Sequence, residues 1–232
     1  TKKRKSLGLR TARENLDDLV DPGSFLEFGA FAVAAQRNRR DYEELQLETS
    51  ADGILTGFCN INEDEVGEDN SHAAAIIYDY SVLAGSQGFF HHQKLDRICE
   101  KAEEFSLPVV IFTEGGGGRP GDTDVTTQIA GLHIPSFSTW ARLTGKCLKI
   151  AVNNGYCFAG NAVLFGCSDF MIATKQSWIG MAGPAMIEGG GLGVYDPKEI
   201  GPAEEQYKNG VLDYLAEDEK EATFIAKKLL SY

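Results

Sequence analysis

The stretch that most restricts the fold is residues 150–174, Ile-Ala-Val-Asn-Asn-Gly-Tyr-Cys-Phe-Ala-Gly-Asn-Ala-Val-Leu-Phe-Gly-Cys-Ser-Asp-Phe-Met-Ile-Ala-Thr. Lys149 to Val152 reads as a short buried strand, Ala159 to Gly166 as a helix of small and apolar residues, and Phe170 to Ala173 as the next strand. Asn153 to Tyr156 reads as a turn, because Asn and Gly tolerate positive φ. A helix that opens on Ala159-Gly160-Asn161-Ala162 offers backbone N–H groups with no intrahelical acceptor and little side chain to cover them. Such a start favours negative charge. A tightly packed strand-turn-helix without chemistry fits the same residues.

A second stretch points to chemistry. Pro108-Val109-Val110-Ile111-Phe112 is a continuous apolar run, the pattern of a buried parallel strand. It leads into Thr113-Glu114-Gly115-Gly116-Gly117-Gly118-Arg119. Four successive glycines cost backbone entropy, which is understandable where backbone passes close to a ligand or takes unusual dihedrals. Two strand ends, each followed by bare amides, can aim two donors at one developing oxyanion.

The two segments together resemble a known superfamily. Asn154 to Ala173 is similar, without a gap, to the second oxyanion segment of the crotonase superfamily. Glu114 to Arg119 resembles the Asp-Ser-Gly-Gly-Ala-Arg segment of its biotin-dependent members, the acyl-CoA carboxyltransferases. Residues 12–14 and 21–27, Ala51 to Gly57, Ser81 to Ser86 and Asn209 to Asp213 extend the likeness, in order, over nearly the whole chain. The resemblance implies an α/β fold, a crotonase-like spiral of β-β-α units, occupying residues 1–232 as one N-terminal carboxyltransferase domain. Within it, a leading helix is expected at about 9–21, the core at about 51–216 and a closing helix at about 217–230.

Composition agrees with a globular chain: 232 residues, 43% hydrophobic and 24% charged. A net charge of −12 argues against a nucleic-acid surface. No apolar run approaches the roughly 18–20 residues of a membrane span. The basic start at Lys2 to Lys5 has no apolar segment behind it, unlike a secretory signal. Cys59, Cys99, Cys147, Cys157 and Cys167 are odd in number and lack Cys-x-x-Cys spacing, so reduced thiols in a cytoplasmic protein are expected and no zinc site is implied.

Elsewhere, residues 9–20 carry a helical apolar face ended by Asp21-Pro22-Gly23. Residues 36–50 read as a charged surface segment. Arg37, Arg39 and Arg40 suit a solvated face or, alternatively, the phosphates of a nucleotide-bearing substrate. Ile54–Ile61 and Ala73–Tyr80 read as strands, Phe89–Phe105 as a helix crossing back to the Pro108 strand, and 122–143 as a helical stretch interrupted near Pro135. His91 and His92 sit near a helix start without an acidic partner at triad spacing, and with His72 and His133 are expected to be structural.

The chemistry follows from what is missing. The acid/base Glu of hydratases would fall at Val163, and the nucleophilic Ser of superfamily peptidases at Asn161. With both absent, the resemblance implies the acyl-CoA-side half of a biotin-dependent carboxyltransferase, which needs only an oxyanion site here. Gly117 and Gly118 are the candidates for one donor, and Gly160, with the Asn161 amide, for the other. Gly85, Ser86, Gly115, Gly116 and Ala159 are expected to line the substrate. The implied partners are an acyl-CoA, carboxybiotin on a carrier domain, a biotin carboxylase and a C-terminal half that follows Tyr232 or sits on another chain, in a homo-oligomeric enzyme. A non-catalytic acyl-CoA-binding module of the same fold remains the alternative.

Overall fold

A computed structural model describes residues 2–125 and 134–232. In chain order the helices are α1 (Lys2–Ser6), α2 (Ala12–Leu19), α3 (Tyr42–Glu48), α4 (Glu63–Val66), α5 (Glu68–Ser71), α6 (Phe89–Phe105), α7 (Ser136–Arg142), α8 (Gly160–Gly166), α9 (Pro184–Gly189), α10 (Ala203–Lys208) and α11 (Glu219–Leu230). The strands are β1 (Leu26–Phe28), β2 (Ile54–Asn60), β3 (His72–Tyr78), β4 (Val109–Phe112), β5 (Lys149–Phe158), β6 (Phe170–Gly180) and β7 (Tyr214–Ala216). They form one seven-stranded sheet in sequence order, β1-β2-β3-β4-β5-β6-β7. β1, β2 and β3 pair antiparallel, whereas β3 through β7 are parallel.

Two-residue alternation divides the strands between two cores. Ala74, Ile76, Val109, Ile111, Ala151 and Ala173 face Leu95 and Ile98 of α6, Trp140 of α7 and Phe165 of α8. Their sequence neighbours Ala75, Ile77, Val110, Ile150, Val152 and Ile172 face Leu16 and Leu19 of α2 and Ala222 and Ala226 of α11. Because both faces are covered, the central strands are apolar throughout and carry no solvent-side alternation. Trp140 Nε1 donates to Leu164 O at 2.9 Å, so the largest buried ring also ties α7 to α8. The α2 start is a capping box: Thr11 Oγ1 accepts from Glu14 N at 3.2 Å, and Glu14 Oε2 accepts from Thr11 N at 2.8 Å.

Several sequence readings change. Asn153 to Tyr156 is not a turn but strand: β5 runs through it to Phe158, absorbing the irregularity as a register shift between Asn153 and Gly155. The chain reverses instead at Ala159, whose φ of 52° and ψ of −120° make the break between strand and helix. Likewise β6 continues to Gly180, past the expected end at Ala173. Pairing with a long neighbouring strand overrides the local turn preference of Asn and Gly. Residues 36–50 include helix α3, with Leu45 and Thr49 fully buried, instead of a wholly solvated segment. Among the described residues of the expected helical stretch 122–143, only Ser136–Arg142 is helix; residues 126–133, with His133, lie outside the described residues.

Candidate active site

The glycine run leaves β4 and threads between two other segments. On one side Gly115 N donates to Tyr156 O at 2.7 Å and Phe158 N to Gly115 O at 2.9 Å. On the other, Gly116 N donates to Ala84 O at 3.1 Å, Gln87 N to Gly117 O at 2.8 Å and Arg119 N to Gln87 O at 3.0 Å. Side chains are excluded where the three strands of backbone are tightest. A Cβ on Gly115 would overlap Gly85 O and Asn161 Nδ2, and one on Gly117 (φ 89°) would lie 2.7 Å from Ala159 Cβ. Gly118 differs, since a Cβ there would meet nothing within 4 Å.

This threading separates the donor candidates. The Gly115 and Gly116 N–H groups are engaged as above, and Gly117 N donates to Asn161 Oδ1 at 2.9 Å. The bridge through Gln87 uses the carbonyl of Gly117 and the N–H of Arg119, so the Gly118 N–H points out of it without a partner among the described residues. Gly117 and Gly118 were equivalent in the sequence; in the fold only Gly118 has a free amide.

Across from it, α8 begins at Gly160, next to Gly117: a Cβ on Gly117 would stand 3.5 Å from Gly160 N. Ala159 N is held by Gly180 O at 3.0 Å, and Val163 N is the first amide to return to the helix, on Ala159 O at 3.0 Å. Gly160 and Asn161 N–H therefore lack an intrahelical acceptor. The positive φ of Ala159 is a strained setting for a residue with a Cβ, on the order of 1–3 kcal/mol, and it marks the break at which β5 gives way to α8. Ser86 lies at the margin, its hydroxyl capping Leu83 O at 2.5 Å.

Residues that the sequence did not single out hold this arrangement. Gln87 is buried, donates from Nε2 to Tyr78 Oη at 3.0 Å, and occupies the space a Cβ on Gly160 would need. Arg119 is buried between Asp52 and Asp122, with Nε 2.8 Å from Asp122 Oδ1, and its Nη1 donates to Ser86 O at 3.0 Å. Asp52 also accepts from His91 N at 2.8 Å. Arg119 reaches Ser86 and Asp52, 33 and 67 positions away, and no local pattern foretells these two contacts. Glu114 turns its carboxylate away to the α2–α11 side, where it meets Arg4 at 2.7 Å near Glu219. Burial pushes its pKa up to about 7 against the opposing pull of Arg4.

His91 and His92 are packed into the interior, and His91 meets Asp52 through its backbone N–H. His91 is fully buried against the Tyr78 ring, and His92 Nδ1 lies 2.9 Å from Ser136 Oγ. Burial, reinforced by Arg119, lowers His92 from 6.5 to about 4. An unfolded chain thus takes up this proton first as pH falls, so the contribution is complete above about 6.5 and is lost on going down to about 4. We expect His92→Asn to lose less stability than wild type between pH 7 and 4.5, by on the order of 1–3 kcal/mol in urea unfolding. Parallel pH dependences would mean His92 is solvated in the fold. Arg40 is paired with Glu44 at 2.7 Å and Arg37 stacks on the Tyr42 ring at 4.4 Å. Among the described residues no group of three or more His, Cys, Asp or Glu is placed to hold a metal. No helix among them is long and apolar enough to cross a membrane.

A mixed sheet with its strands in sequence order, and small-residue turns at the ends of adjacent parallel strands β4 and β5, define a crotonase-like α/β protein. The chain belongs to the carboxyl transferase domain family, whose profile matches residues 3–232. It is 32% identical over 232 residues to the methylmalonyl-CoA carboxyltransferase 12S subunit of Propionibacterium freudenreichii subsp. shermanii, covering 99% of this chain and 42% of that one. It is 27% identical to the propionyl-CoA carboxylase beta chain of Saccharopolyspora erythraea, of which it covers 40%. The chain thus spans about two fifths of the length of these relatives. Among solved structures, a single-chain, multi-domain long-chain acyl-CoA carboxylase matches 98% of this chain with a TM-score of 0.93 and 52% identity, over 22% of its own length. The transcarboxylase 12S hexamer, solved with methylmalonyl-CoA and methylmalonic acid, matches with a TM-score of 0.81 and 31% identity, over 42% of its own chain.

Proposed function

We propose that residues 1–232 are the acyl-CoA-side half of a biotin-dependent acyl-CoA carboxyltransferase, and that the Gly118 and Gly160 N–H groups stabilise the thioester enolate. The observation that carries this reading is the pair of unpartnered amides on abutting backbone segments, in a chain whose relatives are acyl-CoA carboxyltransferases. Loss of the α-proton moves charge onto the thioester oxygen, and two N–H donors fixed in advance stabilise that charge without reorganisation. The enolate carbon then forms a bond to the carboxyl carbon. Carboxybiotin on its carrier would supply both that carbon and the base: breaking its N–carboxylate bond releases the carboxyl carbon as carbon dioxide, and the biotin anion left behind takes the α-proton. This half needs no acid or base of its own, which fits Val163 and Asn161 at the positions where relatives of other activity keep theirs.

The acyl group we assign is a long chain. Identity of 52% to the long-chain carboxylase supports it, as does the apolar surface that follows the Gly180 anchor of Ala159: Met181, Met186, Leu192 and Val194 are all exposed. The test is carboxylation of a panel of acyl-CoAs, with the biotin-side half and carboxybiotin supplied. The 232 residues alone should bind CoA esters and transfer nothing. With the second half, palmitoyl-CoA should be carboxylated in preference to propionyl-CoA. Binding without transfer in the complete assembly would identify a non-catalytic module instead, and transfer by the isolated chain would show that the site is complete within it.

A further inference from the structure

We infer that the side chain of Asn161 is a positioning residue that decides which amide of the glycine run faces the substrate; this rests on the oxyanion reading above. Asn161 is fully buried at the second position of α8, and its amide group reaches three other segments. Oδ1 accepts from Gly117 N at 2.9 Å, and Nδ2 donates to Thr113 O at 3.0 Å and to Gly85 O at 3.3 Å. The two carbonyls can only accept and the amide can only donate, so these partners fix which end of the side chain is oxygen.

One amide group therefore clamps the end of β4, the Gly85 turn and the middle of the glycine run to the start of α8. Its Nδ2 fills the space beside Gly115 that a side chain there would take. The clamp has a directional result. With the Gly117 N–H turned inward to Oδ1 and the Gly117 carbonyl held by Gln87 N at 2.8 Å, the next peptide is fixed from both sides. The Gly118 N–H is then left pointing outward, one residue beyond Gly117, whose own neighbour across the gap is Gly160. A glycine or alanine at 161 would leave Gly117 N–H, Thr113 O and Gly85 O without this partner. The Gly117 peptide would then be free to turn, and two adjacent amides would compete for one place.

Two measurements test this, and they fail independently. In the folded 232-residue chain, amide exchange should find Gly117 protected and Gly118 exchanging readily, and Asn161→Ala should release Gly117. Equal protection of the two amides in wild type, or a Gly117 still protected in the variant, overturns the inference whatever the enzyme's activity. In the assembled carboxyltransferase, Asn161→Ala should lower kcat per folded enzyme by roughly 10–100-fold, with KM for the acyl-CoA changed less than about threefold. Asn161→Asp, which keeps an acceptor for Gly117 N–H, should recover part of that loss if its folded fraction is compared. An unchanged kcat per folded enzyme, or a loss wholly in KM, overturns the positioning role. Absence of transfer in the wild-type assembly would refute the functional reading while leaving the exchange result to stand or fall alone.

Discussion

Gly160→Val should lower the chemical step of the assembled enzyme by about a hundredfold or more, the scale of one lost oxyanion donor. Gly160 is the first residue of α8, and a Cβ there would overlap Gln87 Oε1 and lie 3.1 Å from Phe137 Cζ. Gln87 is held by its own backbone pairing to the glycine run and by its bond to Tyr78, so it cannot withdraw cheaply. The helix start must move instead, taking the Gly160 N–H with it, or the valine must occupy the space before that amide. Either way the proposed donor is lost where charge would develop on the way to the enolate, a charge that the bound ground state does not carry. CoA-ester affinity should therefore change much less than the rate. Gly166→Ala at the other end of the same helix is the control: a Cβ there meets nothing within 4 Å, and alanine favours helix over glycine. That variant should fold at least as well as wild type and turn over normally. A Gly160→Val enzyme that is folded and fully active would remove this amide from the reaction.

Arg119→Met should be the most damaging single change to stability, costing roughly 3–5 kcal/mol, because it leaves buried charge without its counter-ion. The side chains of Arg119, Asp52 and Asp122 are only 8%, 0% and 6% exposed, so water replaces little of the lost pairing. Burial already raises the Asp52 pKa, with Arg119 as the first opposing influence. Without Arg119 this carboxyl will hold its proton to higher pH. A raised carboxyl pKa stabilises the fold where the group is protonated, so the variant's deficit should be larger at pH 8 than at pH 5. Adding Asp52→Asn should recover part of the deficit and weaken its pH dependence. Urea unfolding at the two pH values measures this. A deficit below about 1 kcal/mol, independent of pH, would mean that the ion network behaves like an exposed surface pair. The same variant should also slow turnover, since Arg119 Nη1 holds Ser86 O and so joins the Gly85 turn to the glycine run.

The sheet's parallel centre was legible because its residues report on themselves. Val109 to Phe112 and Ile150 to Val152 are continuous apolar runs, and a strand covered on both faces has no other economical composition. The 17-residue helix α6 was legible from its apolar spacing, with bounds at Phe89 and Phe105 that matched the reading. Misreadings fell where neighbours outweighed local preference. Asn153, Asn154 and Gly155 look like a turn alone, yet β6 supplies a partner strand and Ser177 Oγ donates to Asn153 O at 3.0 Å. Residues 36–50 look solvated by charge count, yet Ala34 N donates to buried Thr49 Oγ1 at 3.0 Å and so draws that segment onto the fold.

The candidate site divides in the same way. Sequence alone determined that small residues follow two strand ends, because backbone cannot approach backbone through a Cβ, and that no acid, base or nucleophile stands at Val163 or Asn161. It also placed the two segments in one family by order and spacing. It did not determine which amide is available. Gly115, Gly116, Gly117 and Gly118 are identical letters, and an N–H is free or taken only according to what lies across from it in space. Tyr156, Ala84 and Asn161, between 32 and 44 residues away along the chain, engage the first three and leave the fourth. Hydrogen-bond partners at that separation are brought together only by the packed sheet, so the tertiary structure alone turned four equivalent glycines into three with engaged amides and one whose N–H has no partner among the described residues.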